Sequence, residues 1–211
     1  MKSKQLKSKI SAEGLLTISI DEEEIPEPKD GEVLIKVQAT PINPSDLGLL
    51  VGPADITSIN EIEKGKKVEM RVPENLIRSV SARFDQNLPV GNEGAGLVES
   101  AGKGAEDLIG KTVGLAGGAM YSEYRCVSAN NCLVMNEGTT AEQAASCFVN
   151  PLTALGMVET MKMENHKGLV HTAAASNLGQ MLIKICLSDN VPLVNIVRKD
   201  EHVELLRSLG A

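Results

Sequence analysis

The chain has 211 residues, of which 42% are hydrophobic, and it carries a net charge of −7 at pH 7. Nothing in this composition indicates disorder or a fibrous repeat, so we expect an ordinary globular protein with one or two cores. The acidic balance argues against a nucleic-acid or anionic-membrane partner, because phosphate groups are bound by clustered basic surfaces.

The first residues give no sign of a targeting segment. The one basic cluster, MKSKQLKSK, is not followed by an apolar run or a small-residue cleavage site, so it does not fit a secretory signal. No apolar stretch approaches membrane-spanning length. We therefore expect a cytoplasmic protein. The four cysteines and three histidines are scattered without metal-ligand spacing, which predicts reduced, mostly buried thiols and no metal site.

Short strands separated by turns are predicted for the first two thirds of the chain. Polar and apolar residues alternate over 15–20, and the β-branched segment 32–40 follows a turn. Further strands are expected at AGLVES, KTVGLA and YSEYRCV, and their spacing predicts a small barrel or sandwich. Residues 53–89 are charged and partly helical by pattern. We interpret them as an insertion that covers one side of the barrel or its cleft.

After Asn136 the pattern changes to alternating helix and strand. Thr140 and Gln143 form a capping-box pattern, and Pro151 suits the first turn of the next helix. The segments KGLVHTA, LGQMLIKICLSDN, PLVNIVRK and DEHVELLRSLGA then predict strand, helix, strand and helix. This order predicts a βαβ unit with parallel strands.

The turn AAASNLG, between that strand and helix, is a weak form of a dinucleotide-binding fingerprint. Anchoring the three-glycine pattern on Gly179 places Ala174 and Ser176 at the first two glycine positions. Asn177 and Leu178 complete the turn. Ser176 and Asn177 would offer polar contacts to a phosphate beside the helix N-terminus.

Two cations follow the second strand, about 20 residues after the fingerprint glycine. Arg198 stands where an NADP-binding protein needs a cation for the 2′-phosphate, and Lys199 is next to it. This placement favours NADP(H) over NAD(H). The alternative is that Arg198 and Lys199 are simply solvent-exposed side chains at the end of the strand.

The chain resembles the medium-chain dehydrogenase/reductase superfamily, and within it the zinc-free NADPH:quinone oxidoreductases and enoyl thioester reductases. Five motifs that carry the resemblance occur in the family order: ATPINPSDLGLLVG (39–52), VGNEGAGLVESAG (90–102), YSEYRCV (121–127), VNPLTALGMVE (149–159) and AASNLGQMLIKIC followed by VNIVR. The resemblance implies an α/β protein with a mainly β N-terminal part. A GroES-like substrate domain at 1–150 would precede an incomplete Rossmann-type, doubly wound dinucleotide-binding domain at 151–211.

The resemblance implies hydride transfer from NADPH to a quinone or enone without zinc. The catalytic zinc ligands of the zinc-dependent relatives correspond here to Asn43, Asn92 and Val149, none of which is a normal zinc ligand. The resemblance also places Asn43 and Thr153 near the nicotinamide. The Tyr that enoyl reductases carry after NPSD is missing, so the candidates for the proton donor are Tyr121, Asp46 and the arginines Arg71, Arg78 and Arg83.

Structural roles are the alternative for several of these residues. Asn43 and Asp46 would then satisfy backbone groups in a turn, and Tyr121 and Tyr124 would pack in the core. Likewise, His171 is interpreted as a hydrogen-bonded strand residue, and Glu93 as a residue that holds a turn or an arginine.

A doubly wound domain uses about six strands, whereas only two are predicted after Gly168. We therefore expect the chain to be truncated within the nucleotide-binding domain, which would leave out half of the cofactor's binding surface. Three hypotheses follow: a quinone or enone oxidoreductase or a piece of one, an enoyl thioester reductase of fatty-acid synthesis, and a non-catalytic module that associates through its exposed sheet edge. A homodimer is a candidate assembly.

Overall fold

Antiparallel strands make up most of the first unit, Met1–Ser146, in the computed structural model, which describes residues 1–211. In chain order they are β1 (Lys2–Ile10), β2 (Leu15–Glu24), β3 (Glu32–Ala39), β4 (Asp55–Glu63), β5 (Lys67–Arg71), β6 (Leu88–Pro89), β7 (Glu93–Ala101), β8 (Thr112–Ala116), β9 (Tyr124–Ser128) and β10 (Leu133–Val134). The helices of this unit are α1 (Pro44–Leu50), α2 (Glu74–Ile77) and α3 (Ala141–Ala144), with a longer 3-10 segment at Arg78–Arg83.

Two five-stranded sheets result, in the orders β4-β5-β2-β1-β6 and β10-β8-β7-β3-β9. In β3, Val33 and Ile35 are fully buried while Lys36 is exposed, so one face of the strand supplies the core. Val98 of the neighbouring β7 and Leu115 of β8, the next strand in the sheet, pack in the same cluster. The predicted mainly β architecture is confirmed, as are the strands expected at AGLVES, KTVGLA and YSEYRCV.

The basic N-terminal cluster forms β1, which the sequence analysis did not predict as a strand. It pairs with the acidic end of β2, so that Lys2 lies opposite Glu24 and Lys4 opposite Glu22. Lys7 and Glu23 form an ion pair at 2.6 Å. Opposite charges on neighbouring strands attract, and Lys2 likewise pairs with Glu22 at 3.3 Å.

Residues 55–71 form a hairpin, β4 and β5, which extends the first sheet beyond β2. This differs from the partly helical pattern read from the sequence, although α2 and the 3-10 segment do follow it. Ile56, Ile59 and Ile62 lie three residues apart and are all exposed, and β4 is bulged, so the strand lacks the alternation of buried and exposed residues that marks a half-buried strand. The Asp55 carboxylate accepts the Thr57 N–H at 2.9 Å in one of these irregularities.

The second unit, Cys147–Ala211, contains a βαβ arrangement. Its elements are α4 (Val149–Met163), β11 (Leu169–His171), α5 (Asn177–Ser188), β12 (Leu193–Asn195) and α6 (Asp200–Ser208). β11 and β12 pair in parallel, with Leu169 opposite Leu193, which confirms the prediction. Ala154 and Val158 of α4 pack against Leu182 of α5.

The predicted helix starts are also present. The Thr140 hydroxyl accepts the Gln143 N–H at 3.3 Å, and the Gln143 side-chain oxygen accepts the Thr140 N–H at 3.0 Å. Pro151 lies in the first turn of α4, where its missing N–H has no acceptor to lose. None of the helices is both long and apolar enough to span a bilayer.

Candidate functional site

The turn between β11 and α5 has room for no side chain at position 179. A Cβ on Gly179 would lie against the Ala174 carbonyl oxygen and 2.7 Å from that of Ala173. Both atoms belong to the backbone of the turn and cannot rotate away. The start of α5 therefore sits directly on the turn, which is the packing that the third glycine of a dinucleotide fingerprint permits.

Ser176 caps α5 and leaves two backbone donors available. Its hydroxyl accepts the Gly179 N–H at 3.1 Å, and its carbonyl accepts the Gln180 N–H at 2.9 Å. The N–H groups of Asn177 and Leu178 have no acceptor within the protein. Unpaired N–H groups at a helix start are suited to bind an anion.

Alanine replaces the first glycine of the fingerprint without strain. Ala174 has a negative backbone φ, which an L-residue adopts readily. Its methyl group is fully buried and packs with Ile183 of α5 and Leu206 of α6. The turn therefore keeps its shape although Gly179 is its only glycine.

A pocket of about 360 Å³ lies against this turn. Residues 172–176 form one wall, the residues that follow β12 form another, and Arg198 and His202 supply the charged and titratable side chains. Arg198 is exposed and makes no hydrogen bond or ion pair. Lys199 does not line the pocket, and its ammonium pairs with the Glu201 carboxylate at 3.1 Å.

His171 sits on the strand beside the turn. Its Nδ1 accepts the Ala173 N–H at 3.1 Å, so the ring helps to fix the backbone of the turn. The contact agrees with the interpretation of His171 as a hydrogen-bonded strand residue.

A second polar cluster lies at the start of α1, in the first unit. Asp46 is only 2% exposed, and each of its carboxylate oxygens accepts a backbone N–H, from Asn43 at 2.7 Å and from Asn92 at 2.9 Å. Two backbone donors satisfy much of a buried carboxylate's demand for hydrogen bonds. The carboxylate thus joins the start of α1 to the GNEG loop, which favours the structural interpretation of Asp46.

Asn43 and Glu93 form a buried polar pair within this cluster. The Asn43 side-chain amide donates to the Glu93 carboxylate at 2.8 Å, and the two residues are 4% and 1% exposed. Asn43 is also the residue that precedes α1. Its side chain therefore has a fixed direction at the helix start.

The Tyr121 phenol reaches the same segment of chain. Its hydroxyl donates to the Pro41 carbonyl at 3.0 Å. Burial, helped by the negative Asp46 carboxylate, raises the pKa of Tyr121 to about 12. The hydroxyl therefore keeps its proton near neutral pH and acts as a donor rather than as a base.

The other predicted donors and Thr153 are placed elsewhere. Arg83 holds the C-terminal end of α1, donating to the Leu49 carbonyl at 2.8 Å, whereas Arg71 and Arg78 are exposed. Thr153 is exposed on α4, and its hydroxyl donates to the Val149 carbonyl at 2.6 Å. It does not line the pocket beside Arg198.

Three of the four cysteine thiols are not activated. Burial raises the pKa of Cys126, Cys132 and Cys186, in the case of Cys132 to about 11. Thiols of this kind are weak nucleophiles near neutral pH, because the reactive form is the thiolate.

The family can be decided at this point. The model of the alcohol dehydrogenase GroES-like domain matches residues 29–170, more than half of the chain. The chain belongs to this family. The match runs from just before β3 to the second residue of β11.

Relatives of this GroES-like chain include the two kinds that the five motifs indicated. The mitochondrial enoyl-acyl-carrier-protein reductase of Caenorhabditis elegans is 25% identical over 198 residues, covering 92% of this chain and 50% of the relative. The solved structure of a candidate NADPH:quinone reductase from Mesorhizobium loti is 26% identical, with a TM-score of 0.65, and covers 100% of this chain and 58% of that one. A second, from Bacillus thuringiensis, is 25% identical, with a TM-score of 0.70 and coverages of 100% and 57%.

The GroES-like chain spans about half the length of the curated relatives it matches. At the positions aligned with zinc ligands in the sequence analysis, the side chains make other contacts: the Asn92 amide donates to the Ser45 hydroxyl at 2.9 Å, and the Asn43 amide is bound to Glu93. No three His, Cys, Asp or Glu side chains come together as a metal-binding group.

His202 is the titratable side chain of the pocket that the sequence analysis did not name. His202 lies on α6, in a segment whose pattern indicated only an amphipathic helix. Its position three residues into a helix that follows Arg198 was the available signal, because the first turn of that helix must lie close to the strand end.

Proposed function

We propose that this chain carries the substrate domain and the adenosine end of the cofactor site of a zinc-independent, NADPH-dependent reductase. The acceptor is a quinone or a double bond conjugated to a carbonyl group. The proposal rests mainly on the pocket of about 360 Å³ between residues 172–176 and Arg198. The two solved structures named for NADPH:quinone reductase activity support it.

The β11–α5 turn fits a pyrophosphate. Ser176 and Asn177 are exposed, and the Asn177 and Leu178 N–H groups are available as donors. The start of a helix of 12 residues adds a partial positive charge. Gly179 and Ala174 contribute by keeping the helix start against the turn.

Arg198 is the residue we assign to the 2′-phosphate. Its guanidinium has no partner within the protein, and it lines the pocket. A guanidinium offers paired N–H donors that match a phosphate. Lys199 already pairs with Glu201, so we assign it a weaker, longer-range contribution to the same charge.

When bound, NADPH supplies the hydride. We assign a nicotinamide contact to Asn43 of the first unit, which is held in place by Glu93, and, as a separate assignment, to Thr153 of the second unit. Tyr121 is the proposed proton donor, because its raised pKa keeps the phenol protonated. Asp46 then acts indirectly, by fixing the start of α1 and by holding the phenol in its neutral form.

Calorimetric titration of the intact chain with NADPH and NADH tests the cofactor assignment. We expect NADPH to bind at least about tenfold more tightly, since one charge-assisted contact to phosphate is worth about 1.5–3 kcal/mol. Arg198→Asp should reverse the preference, because a carboxylate repels the 2′-phosphate and accepts from a ribose hydroxyl. Arg78→Asp, at an exposed arginine of the first unit, is the matched control. Equal affinity for both cofactors, or no binding of either, would contradict the proposal.

A second candidate is reduction of an enoyl thioester. It is favoured by the name of the C. elegans relative, an enoyl-acyl-carrier-protein reductase. The name of that relative also gives a mitochondrial location, which differs from the cytoplasmic location expected in the sequence analysis. NADPH oxidation with a crotonyl thioester, compared with a quinone panel, separates the two candidates. A preference for the thioester would select this second candidate.

A further inference from the structure

We propose that His202 is a second cationic ligand for the 2′-phosphate of NADP(H), so that protonation of its imidazole controls cofactor affinity. The inference rests on the proposed function of the pocket. It adds a residue that the dinucleotide fingerprint does not include. It also adds a pH dependence beyond that of the phosphate itself, which Arg198 alone would not produce.

His202 is held at the pocket by the start of α6. Its backbone N–H donates to the Lys199 carbonyl at 3.1 Å, which fixes the first turn of the helix beside Arg198. The side chain is 37% exposed, so the ring is neither buried in the core nor fully solvated. The pocket therefore has a titratable ring beside a permanent cation.

The groups facing His202 from other elements are uncharged. The lining residues 172–176 of the β11–α5 turn, together with Ile196 and Val197, carry no titratable side chain. Where α6 packs on α5 and β12, the contacts are apolar, through Leu206, Ile183 and Leu193. Arg198 is therefore the only other charged side chain of the lining.

The remaining charged neighbours belong to the start of α6. His202 Nε2 lies 3.8 Å from a Glu201 carboxylate oxygen, and the same oxygen lies 3.1 Å from the Lys199 ammonium. The segment from Arg198 to Glu201 carries two positive and two negative charges. With His202 neutral its sum is zero, and with His202 protonated the sum is +1.

Phosphate binding should therefore be coupled to protonation. An imidazole has an ordinary pKa of about 6.5, and protonation gives it a second N–H donor and a positive charge. A ligand that prefers the protonated ring must raise the pKa of that ring when it binds. The phosphate also titrates, near pH 6, so the wild-type profile alone mixes two effects. Comparison with a variant lacking the ring separates them.

The test uses the intact chain and two nucleotides, 2′,5′-ADP and 5′-ADP, which differ in the position of one phosphate. Affinities are measured by calorimetry from about pH 5.5 to about pH 8.5 for the wild type and for His202→Gln. We expect the wild type to bind 2′,5′-ADP roughly tenfold more tightly than the variant at the acidic end. That ratio should fall toward one at the alkaline end. His166→Gln, which removes an exposed histidine paired with Glu164, is the matched control.

Proton NMR of the ring gives a second, direct readout. The pKa of His202 should rise when 2′,5′-ADP binds and stay unchanged with 5′-ADP. A wild-type to variant ratio that is flat with pH, with 5′-ADP still bound, would overturn the inference and leave the dinucleotide site intact. Failure of both nucleotides to bind would overturn the proposed function and the inference together.

Discussion

Substitution of Gly179 by alanine tests the construction of the β11–α5 turn. The added Cβ would lie 2.7 Å from the Ala173 carbonyl oxygen and closer still to that of Ala174, so α5 must move away from the turn. Overpacking of this kind costs about 1–3 kcal/mol. Alanine returns about 1 kcal/mol of helix propensity, which leaves a net destabilisation of up to about 2 kcal/mol.

Gly156→Ala is the matched control. Gly156 lies inside α4, and a Cβ there would meet nothing within 4 Å. Only the gain in helix propensity from glycine to alanine remains, so this variant should be more stable than the wild type by about 0.5–1 kcal/mol. Urea unfolding followed by circular dichroism gives both changes, and hydrogen exchange of the α5 amides localises the first. A Gly179→Ala protein as stable as Gly156→Ala would refute the close packing of α5 on the turn.

Two further predictions concern the first unit. The pKa of Tyr121 is raised from 10.0 to about 12, so its contribution to stability is complete below pH 10 and is lost as the pH rises from 10 to 12. In Tyr121→Phe, the free energy of unfolding should no longer fall through this contribution between pH 10 and pH 12. An unchanged slope of that free energy against pH would contradict the raised pKa of Tyr121. Arg83→Met should destabilise the unit by about 1–3 kcal/mol, because the guanidinium donates to the Leu49 and Gly48 carbonyls and to Ser8. Arg83→Lys should recover part of this lost stability, and Arg78→Met should lower stability little. Equal losses of stability in Arg83→Met and Arg78→Met would show that the contacts of Arg83 with the end of α1 add nothing.

Periodicity predicted the strands whose two faces differ in burial. Val33 and Ile35 alternate with more exposed residues along β3, so the local pattern carried the signal. β4 was not predicted, because its exposed isoleucines at 56, 59 and 62 follow a bulged backbone rather than a regular strand. β1 was missed for another reason. Its lysines suggested a solvated segment, and the acidic residues that pair with them are about 20 positions away in the chain.

For the candidate sites too, local features could be predicted from the sequence, whereas contacts between distant segments could not. The turn at Gly179 is a local feature, and its small residues indicated it directly. The position of His202 and the bond from the Asn92 N–H to Asp46 depend on how separate elements pack, which spacing alone does not show. Asp46 illustrates the consequence: its sequence context allowed both a proton donor and a turn residue, and only the position of the Asn92 N–H favours the second.

Amide chemical-shift mapping of the intact chain with NADPH tests the central claim most directly, namely that the pocket beside Arg198 is a dinucleotide site. The account predicts that the largest shifts fall on residues 172–179 and 198–202, and that Arg198→Asp abolishes them. Shifts confined to other residues, or no shifts at saturating NADPH, would contradict it.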